Sequence, residues 1–191
     1  MSHLIFKFLH ISGVILIGSG LMGVLIADSR VRQTNDIRLI AEGCRYVAIF
    51  YDGIVVPEAI LAGFSGLILT INMNIGFFDL PWLTGMWILF VAEFVEGNTI
   101  TRIHFRRLLK LSRIALDQGR ITAGLQEEME RILPTFTHYL DMPLFLFIVF
   151  LGSLRPLTWN YFTIGILLAL AVTFSLTISI SRIYRWPAVK S

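Results

Sequence analysis

The chain has 191 residues, of which 55% are hydrophobic and only 15% charged, with a net charge of +3 and a mean hydropathy of +0.74. That is too little polar surface to cover a water-soluble globule of this size, so composition excludes a soluble enzyme and points to a polytopic membrane protein. One cysteine, Cys44, excludes an internal disulfide, a thiolate zinc site and an iron–sulfur cluster, and no basic run with interleaved aromatics offers a nucleic-acid surface.

The apolar residues gather into five blocks, each close to the roughly 20 residues an α-helix needs to cross the hydrocarbon. They predict helices at residues 4–27, 46–72, 82–104, 134–153 and 160–181, in one all-α transmembrane bundle spanning 1–191. The start, "MSHLIFKFLHISGVILIGSG", has one lysine before a long apolar run and lacks a small-x-small cleavage site; it reads as a retained first helix.

In that helix "GSGLMG" (Gly18 to Gly23) matches the G-x-G-x-x-G dinucleotide fingerprint letter for letter. The fingerprint works only where a strand turns into a helix N-terminus, so inside a membrane helix the small residues suit close approach of a second helix. His10 lies well inside the same helix, where a neutral imidazole needs a hydrogen-bond partner or a metal. Both a neighbouring helix and a haem iron satisfy that need.

The segment after helix 1, "DSRVRQTNDIRLIAEGCR", carries four arginines, and the one after helix 3, "RRLLKLSRIALDQGRITAGLQEEMER", carries five and a lysine. Positive short loops stay in the cytoplasm, so the N-terminus is expected outside and the C-terminus, ending "SRIYRWPAVKS", inside. After helix 3, Leu108, Leu109, Leu111, Ile114, Ala115 and Leu116 fall among basic residues. That pattern suits either a helix lying on the inner leaflet or helix 3 running on past the membrane.

Helix 2 carries Asp52 near its cytoplasmic end and Glu58 near the bilayer middle, directly after Pro57, which removes an amide donor and favours a kink. In helix 3, about 100° per residue puts Glu93, Glu96, Gly97, Ile100 and His104 on one stripe. A carboxylate facing lipid costs several kcal/mol, so the stripe is expected to face the bundle interior. Hydrogen-bonding glue between helices is one role for the two glutamates; holding an ion, a proton or a cofactor is the other. Helix 4 opens "PTFTHYLDMP", with His138 and Asp141 three apart on one face, a spacing that suits a metal pair or a histidine oriented by an aspartate. The up-down-up order of helices 2, 3 and 4 lets Asp52, Glu96, His104, His138 and Asp141 converge in the inner half. No serine-nucleophile elbow, phosphate loop or H-E-x-x-H pair occurs.

"FKFLHISGVILIGSGL" and "LDMPLFLFIVFLGSLRP" resemble a bacterial family of predicted integral membrane proteins known as a domain of unknown function, over residues 4–156. The basic residue followed by Leu-His in helix 1 is also similar to the small membrane protoporphyrinogen oxidases and the copper-resistance D-type proteins. The oxidase resemblance implies haem binding at His10; here the tryptophan expected a turn or two after that histidine is absent.

Two functional expectations result. In the first, a bacterial inner-membrane bundle holds haem b or another metal through His10, with His104 or His138 as a second ligand and Glu93, Glu96 and Asp141 as candidate metal ligands, for electron transfer or cofactor handling. In the second, the chain is a proton- or cation-coupled carrier or an accessory subunit, and Asp52, Glu58, Glu93, Glu96 and Asp141 relay charge through the inner half. The lipid bilayer is the expected partner, with a membrane complex or a homo-oligomer beyond it and no nucleic acid.

Overall fold

A computed structural model describes residues 2–183 of the protein. The elements are α1 (Ser2–Arg32), α2 (Ile37–Phe50), α3 (Val56–Asn72), α4 (Pro81–Glu96), α5 (Arg102–Asp117), α6 (Ala123–Met129), α7 (Ile132–Leu154) and α8 (Trp159–Ile183). No strand occurs among the described residues. Two π-turns, Tyr51–Val55 and Gly97–Thr101, join α2 to α3 and α4 to α5 without a break in the helix.

Among the described residues, four helices are long and apolar enough to cross a membrane: His3–Arg32, Ile37–Asn72, Ile132–Leu154 and Trp159–Ile180. The fifth expected crossing, 82–104, falls in α4, its π-turn and the start of α5, where Glu93, Glu96 and Asn98 lower the hydropathy. The helix limits differ most where charge was taken to mark a loop. Helix 1 runs on to Arg32, and helix 2 begins at Ile37, not 46. The helix starting at Pro81 continues to Asp117, so the basic stretch after 104 is an extension rather than a separate surface helix. Hydropathy ends where the bilayer ends, whereas a helix goes on while residues of good propensity have a face to pack. The expected C-terminal arrangement beyond 183 lies outside the described residues.

At about 1.5 Å per residue the 31 residues of α1 span about 46 Å, well beyond a hydrocarbon core of about 30 Å. The surplus of α1, α2 and the α4–α5 rod builds an arginine-rich layer at one end. Asp36 starts α2 by accepting the Arg38 amide at 2.9 Å, and Thr122 starts α6 by accepting the Leu125 amide at 3.3 Å. Val24, Val31, Ile40, Cys44, Val47, Phe105, Leu108, Ala115, Leu125 and Met129 belong to one core that starts in this layer and continues through Tyr51, Val55, Ile17 and Ala62 into the apolar half.

The apolar half packs α1 on α3, and α4 and α8 on α7. A Cβ at Gly20 would stand 2.8 Å from Val55 and one at Gly23 2.8 Å from Phe50, so the glycines of the "GSGLMG" stretch seat the side chains at the end of α2 and in its π-turn. Pro143 interrupts the ladder of α7. The carbonyl four residues earlier, at Tyr139, receives the Thr173 hydroxyl of α8 at 3.4 Å.

Candidate functional site: a buried acid–histidine chain

The two π-turns lie against one another. Each replaces one α-type bond by a bond to the fifth residue back, Val56 N–H to the Tyr51 carbonyl and Arg102 N–H to the Gly97 carbonyl. Such turns are often found at functional positions. A Cβ on Gly97 would come within 2.5 Å of the Tyr51 hydroxyl, so a larger residue there would push that side chain aside. Asp52 accepts hydrogen bonds from Arg102 Nε and, at 2.9 Å, from Arg106 Nε, clamping the first turn to the second.

The turn in the α4–α5 rod re-aims the residues beyond it. One extra residue rotates the downstream helix by about 100° relative to uninterrupted α-periodicity. Glu93 and Glu96 therefore face α7, whereas His104 points toward α6, where its Nδ1 lies 2.8 Å from Glu128 Oε1. The single stripe expected from Glu93 to His104 is divided by this turn. Asp52 is likewise drawn to the arginines and not into the acidic cluster.

On the α7 side the convergence does form. Glu93, Glu96 and Asp141 each bring a carboxylate oxygen within 4.8 Å of the other two. Glu96 Oε1 accepts the Thr101 hydroxyl at 2.9 Å, and Thr101 Oγ1 lies 3.1 Å from Thr137 Oγ1. Asp141 is buried, and its carboxyl shares a hydrogen bond with that of Glu93. One turn earlier, His138 is buried with Nδ1 4.0 Å from Asp141 Oδ2 and Nε2 4.0 Å from Asp28 Oδ2. Neither ring nitrogen has a hydrogen-bond partner among the described residues.

Beyond His138, Asp28 Oδ2 accepts from Arg32 Nε at 2.8 Å and from the Tyr139 hydroxyl at 2.8 Å. The Arg32 guanidinium stands over the Tyr139 ring, 5.7 Å from its centroid. A cavity of about 10 Å³, room for about one water, is lined by Asp28, Cys44, Phe105 and neighbouring apolar groups. The Phe105 ring meets His138 edge-on at 5.1 Å and lies 5.8 Å from the His104 ring. The result is a chain of polar groups from Glu93 and Glu96 through Asp141 and His138 to Asp28 and Arg32, with His104 and Glu128 alongside.

Sequence reasoning missed Asp28, Arg32 and Tyr139. Asp28 and Arg32 stand four residues apart in "DSRVR", which is helix spacing, and ending helix 1 at 27 turned them into a loop.

The other two expected residues lie apart. Glu58 sits in the first turn of α3, and its Oε2 is buried without a hydrogen-bond partner among the described residues. His10 is on the far part of α1, where Nδ1 lies 2.9 Å from the Ala62 carbonyl and 3.4 Å from the Ser65 hydroxyl. It does not meet His104 or His138, which lie toward the arginine-rich end.

The fold and this network define an integral membrane helical protein with ionisable groups enclosed between its helices. The chain belongs to the family described as predicted integral membrane protein, domain of unknown function 2269, whose match covers residues 4–156. The matched span holds every residue of the acid–histidine chain. No curated protein and no solved structure matches.

Proposed function

We propose that this protein is a cation-coupled carrier of the bacterial inner membrane and that the acid–histidine chain is where the cation is held. The observation that carries the reading is His138, whose two ring nitrogens are buried without hydrogen-bond partners among the described residues, beside an Asp141 carboxyl that shares its hydrogen bond with Glu93. Each orphaned group costs about 1–3 kcal/mol, and such groups in a membrane interior mark ion and proton paths. Three carboxylates on one side and a carboxylate–arginine pair on the other give a cation a graded set of oxygen ligands between the apolar half and the arginine-rich end. The α4–α5 rod makes a fifth crossing in this reading, its acids facing α7 and not lipid.

The arginines orient the molecule, with their layer in the cytoplasm and the N-terminus outside. Reporter fusions at Asn35, Phe78, Arg120 and Leu157 are expected to read in, out, in, out, and any other order breaks the five-crossing arrangement. For the activity, the purified chain is reconstituted into vesicles loaded with a pH dye or a Mn²⁺-quenched dye, and a gradient of the matching ion is imposed. Wild type is expected to give flux with one of them, and Asp141→Asn at least a tenfold slower rate; wild-type vesicles no leakier than protein-free ones sink the carrier.

One observation favours a second reading, haem b at His10. With its Nδ1–H given to the Ala62 carbonyl, the ring keeps its lone pair on Nε2, the tautomer a haem iron requires. Haem would supply one-electron chemistry. Absorbance of the purified protein tests this: a Soret band in wild type that is lost in His10→Ala supports it, and equal spectra remove His10.

A further inference from the structure

We propose that Glu93, Glu96 and Asp141 ligate one divalent metal ion of the manganese, iron and zinc class, with the His138 imidazole as the nitrogen donor beside them. The proposal deepens the carrier reading by naming its cation, and it rests on that reading for the purpose of the site although not for its ligands.

The first support is spacing. Ligand atoms about 2.0–2.2 Å from a shared ion stand at most about 4.4 Å apart, when they are opposite one another. Three atoms sharing one ion cannot all be opposite and stand about 3–3.8 Å apart, so from within 4.8 Å side-chain rotations of up to about an ångström bring the carboxylates around it, and His138 Nδ1, 4.0 Å from Asp141, swings in to join them. The second is where these residues come from. Glu93 and Glu96 are three apart on α4 and His138 and Asp141 three apart on α7, and these two helices pack together. Helix bundles build metal sites in this manner, from pairs one turn apart on facing helices.

The third support is the imidazole. His138 is only 3% exposed, yet both ring nitrogens are without hydrogen-bond partners among the described residues, and Nδ1 is aimed at the carboxylate of Asp141 from 4.0 Å. An imidazole serving only as packing would be expected to bond at least one nitrogen. The arginine nearest in sequence to Glu96 is already engaged: Arg102 is held by Asp52 and, at 3.0 Å, by Asn98 Oδ1. Glu96 has its other contacts arranged as a ligand's are, with Thr101 fixing one oxygen and Thr137 fixing Thr101. Three oxygens and one imidazole suit a hard or borderline ion. The lone thiol, Cys44, lies on the Asp28 side among Val47 and Phe105, so no thiolate joins this cluster.

The test uses the full chain in detergent, stripped with a chelator and titrated with Mn²⁺ under electron paramagnetic resonance. The expected result is one Mn²⁺ per chain, competed by Zn²⁺, with a ¹⁴N modulation in the spin-echo signal that His138→Gln abolishes. Asp141→Asn and Glu96→Gln are each expected to weaken binding by at least tenfold, and Asp79→Asn, in the loop before α4, to leave it unchanged. Size-exclusion profiles and circular dichroism report folding, so a misfolded Asp141→Asn is replaced by Glu96→Gln, whose threonine partner can still bond the amide. Mn²⁺ and Zn²⁺ binding no tighter in wild type than in Asp141→Asn and Glu96→Gln overturns the site. Proton flux in the vesicles without metal binding also overturns it while sparing the carrier; metal binding without flux of either ion upholds the site and sinks the carrier.

Discussion

The arginine-rich end and the apolar half of this protein are made of the same helices under two different solvents. At the arginine end, Val24, Ile40, Ala115, Leu125 and Met129 are fully enclosed, and α2 and α5 turn charged faces outward. In the apolar half the pattern reverses: on α8, Ile164, Leu167, Leu168 and Phe174 are more than half exposed. Burying a leucine removes it from water at one end and only from lipid tails at the other, so hydrophobic burial can hold the first and contributes little to the second. The apolar half relies instead on close approach and on hydrogen bonds between helices, such as Trp87 Nε1 to Thr70 Oγ1 at 3.3 Å and His10 Nδ1 to the Ala62 carbonyl. The acid–histidine chain lies where the two regimes meet.

The two regimes depend first on the network between them. Asp28 receives Arg32 and Tyr139 and faces His138, tying α1 to α7. Removing one partner of a buried charge pair costs about 3–5 kcal/mol, so Asp28→Ala is expected to give the largest fall in the unfolding midpoint. Thermal unfolding in detergent measures it. A loss under about 1 kcal/mol would mean that the two regions hold together without this tie. Within the arginine end, Leu125→Ala or Met129→Ala is expected to cost about 2–5 kcal/mol, because each side chain is wholly enclosed and its cavity cannot collapse into lipid.

How legible each region was in the sequence depends on the same difference. The apolar half was readable from hydropathy alone: the predicted end of helix 2 at 72 is where α3 ends, and helices 4 and 5 lie within two residues of α7 and α8. The arginine end was not, because its charges look like loop while its amphipathic faces keep α2 and α5 helical. At the site, the i, i+3 spacing of Glu93 with Glu96 and of His138 with Asp141 was visible, and those pairs do meet. His104 and Asp52 went elsewhere. A π-turn leaves no mark in residue periodicity, and one inserted residue is enough to rotate His104 toward Glu128. Asp28 escaped notice because its partner Tyr139 is 111 residues away, a distance no local pattern spans.

A smaller effect is expected at the hydrogen bond between α3 and α4. Trp87→Phe keeps the ring and removes the indole donor to Thr70, and such bonds within lipid average about 0.6 kcal/mol, with a ceiling near about 1.7. A loss well above that ceiling would show that water, not lipid, surrounds this pair and would move the boundary between the two regions toward the Trp87 end of α4.

The smallest effect is expected at Leu168. Leu168 and Leu125 are the same residue on the same kind of element, one 59% exposed on α8 and the other fully enclosed under α6. Truncating Leu125 opens a cavity in a packed core. Truncating Leu168 lets lipid fill the space, so Leu168→Ala is expected to change the unfolding free energy by no more than about 0.5 kcal/mol. Leu168→Arg supplies the control, since a cation placed in the hydrocarbon costs about 2.5–3.5 kcal/mol and the same arginine in water costs almost nothing. A harmless arginine there would put α8 outside the bilayer. A leucine-to-alanine loss at Leu168 as large as at Leu125 would mean that another protein surface covers α8, and the two ends would then share a single solvent rule.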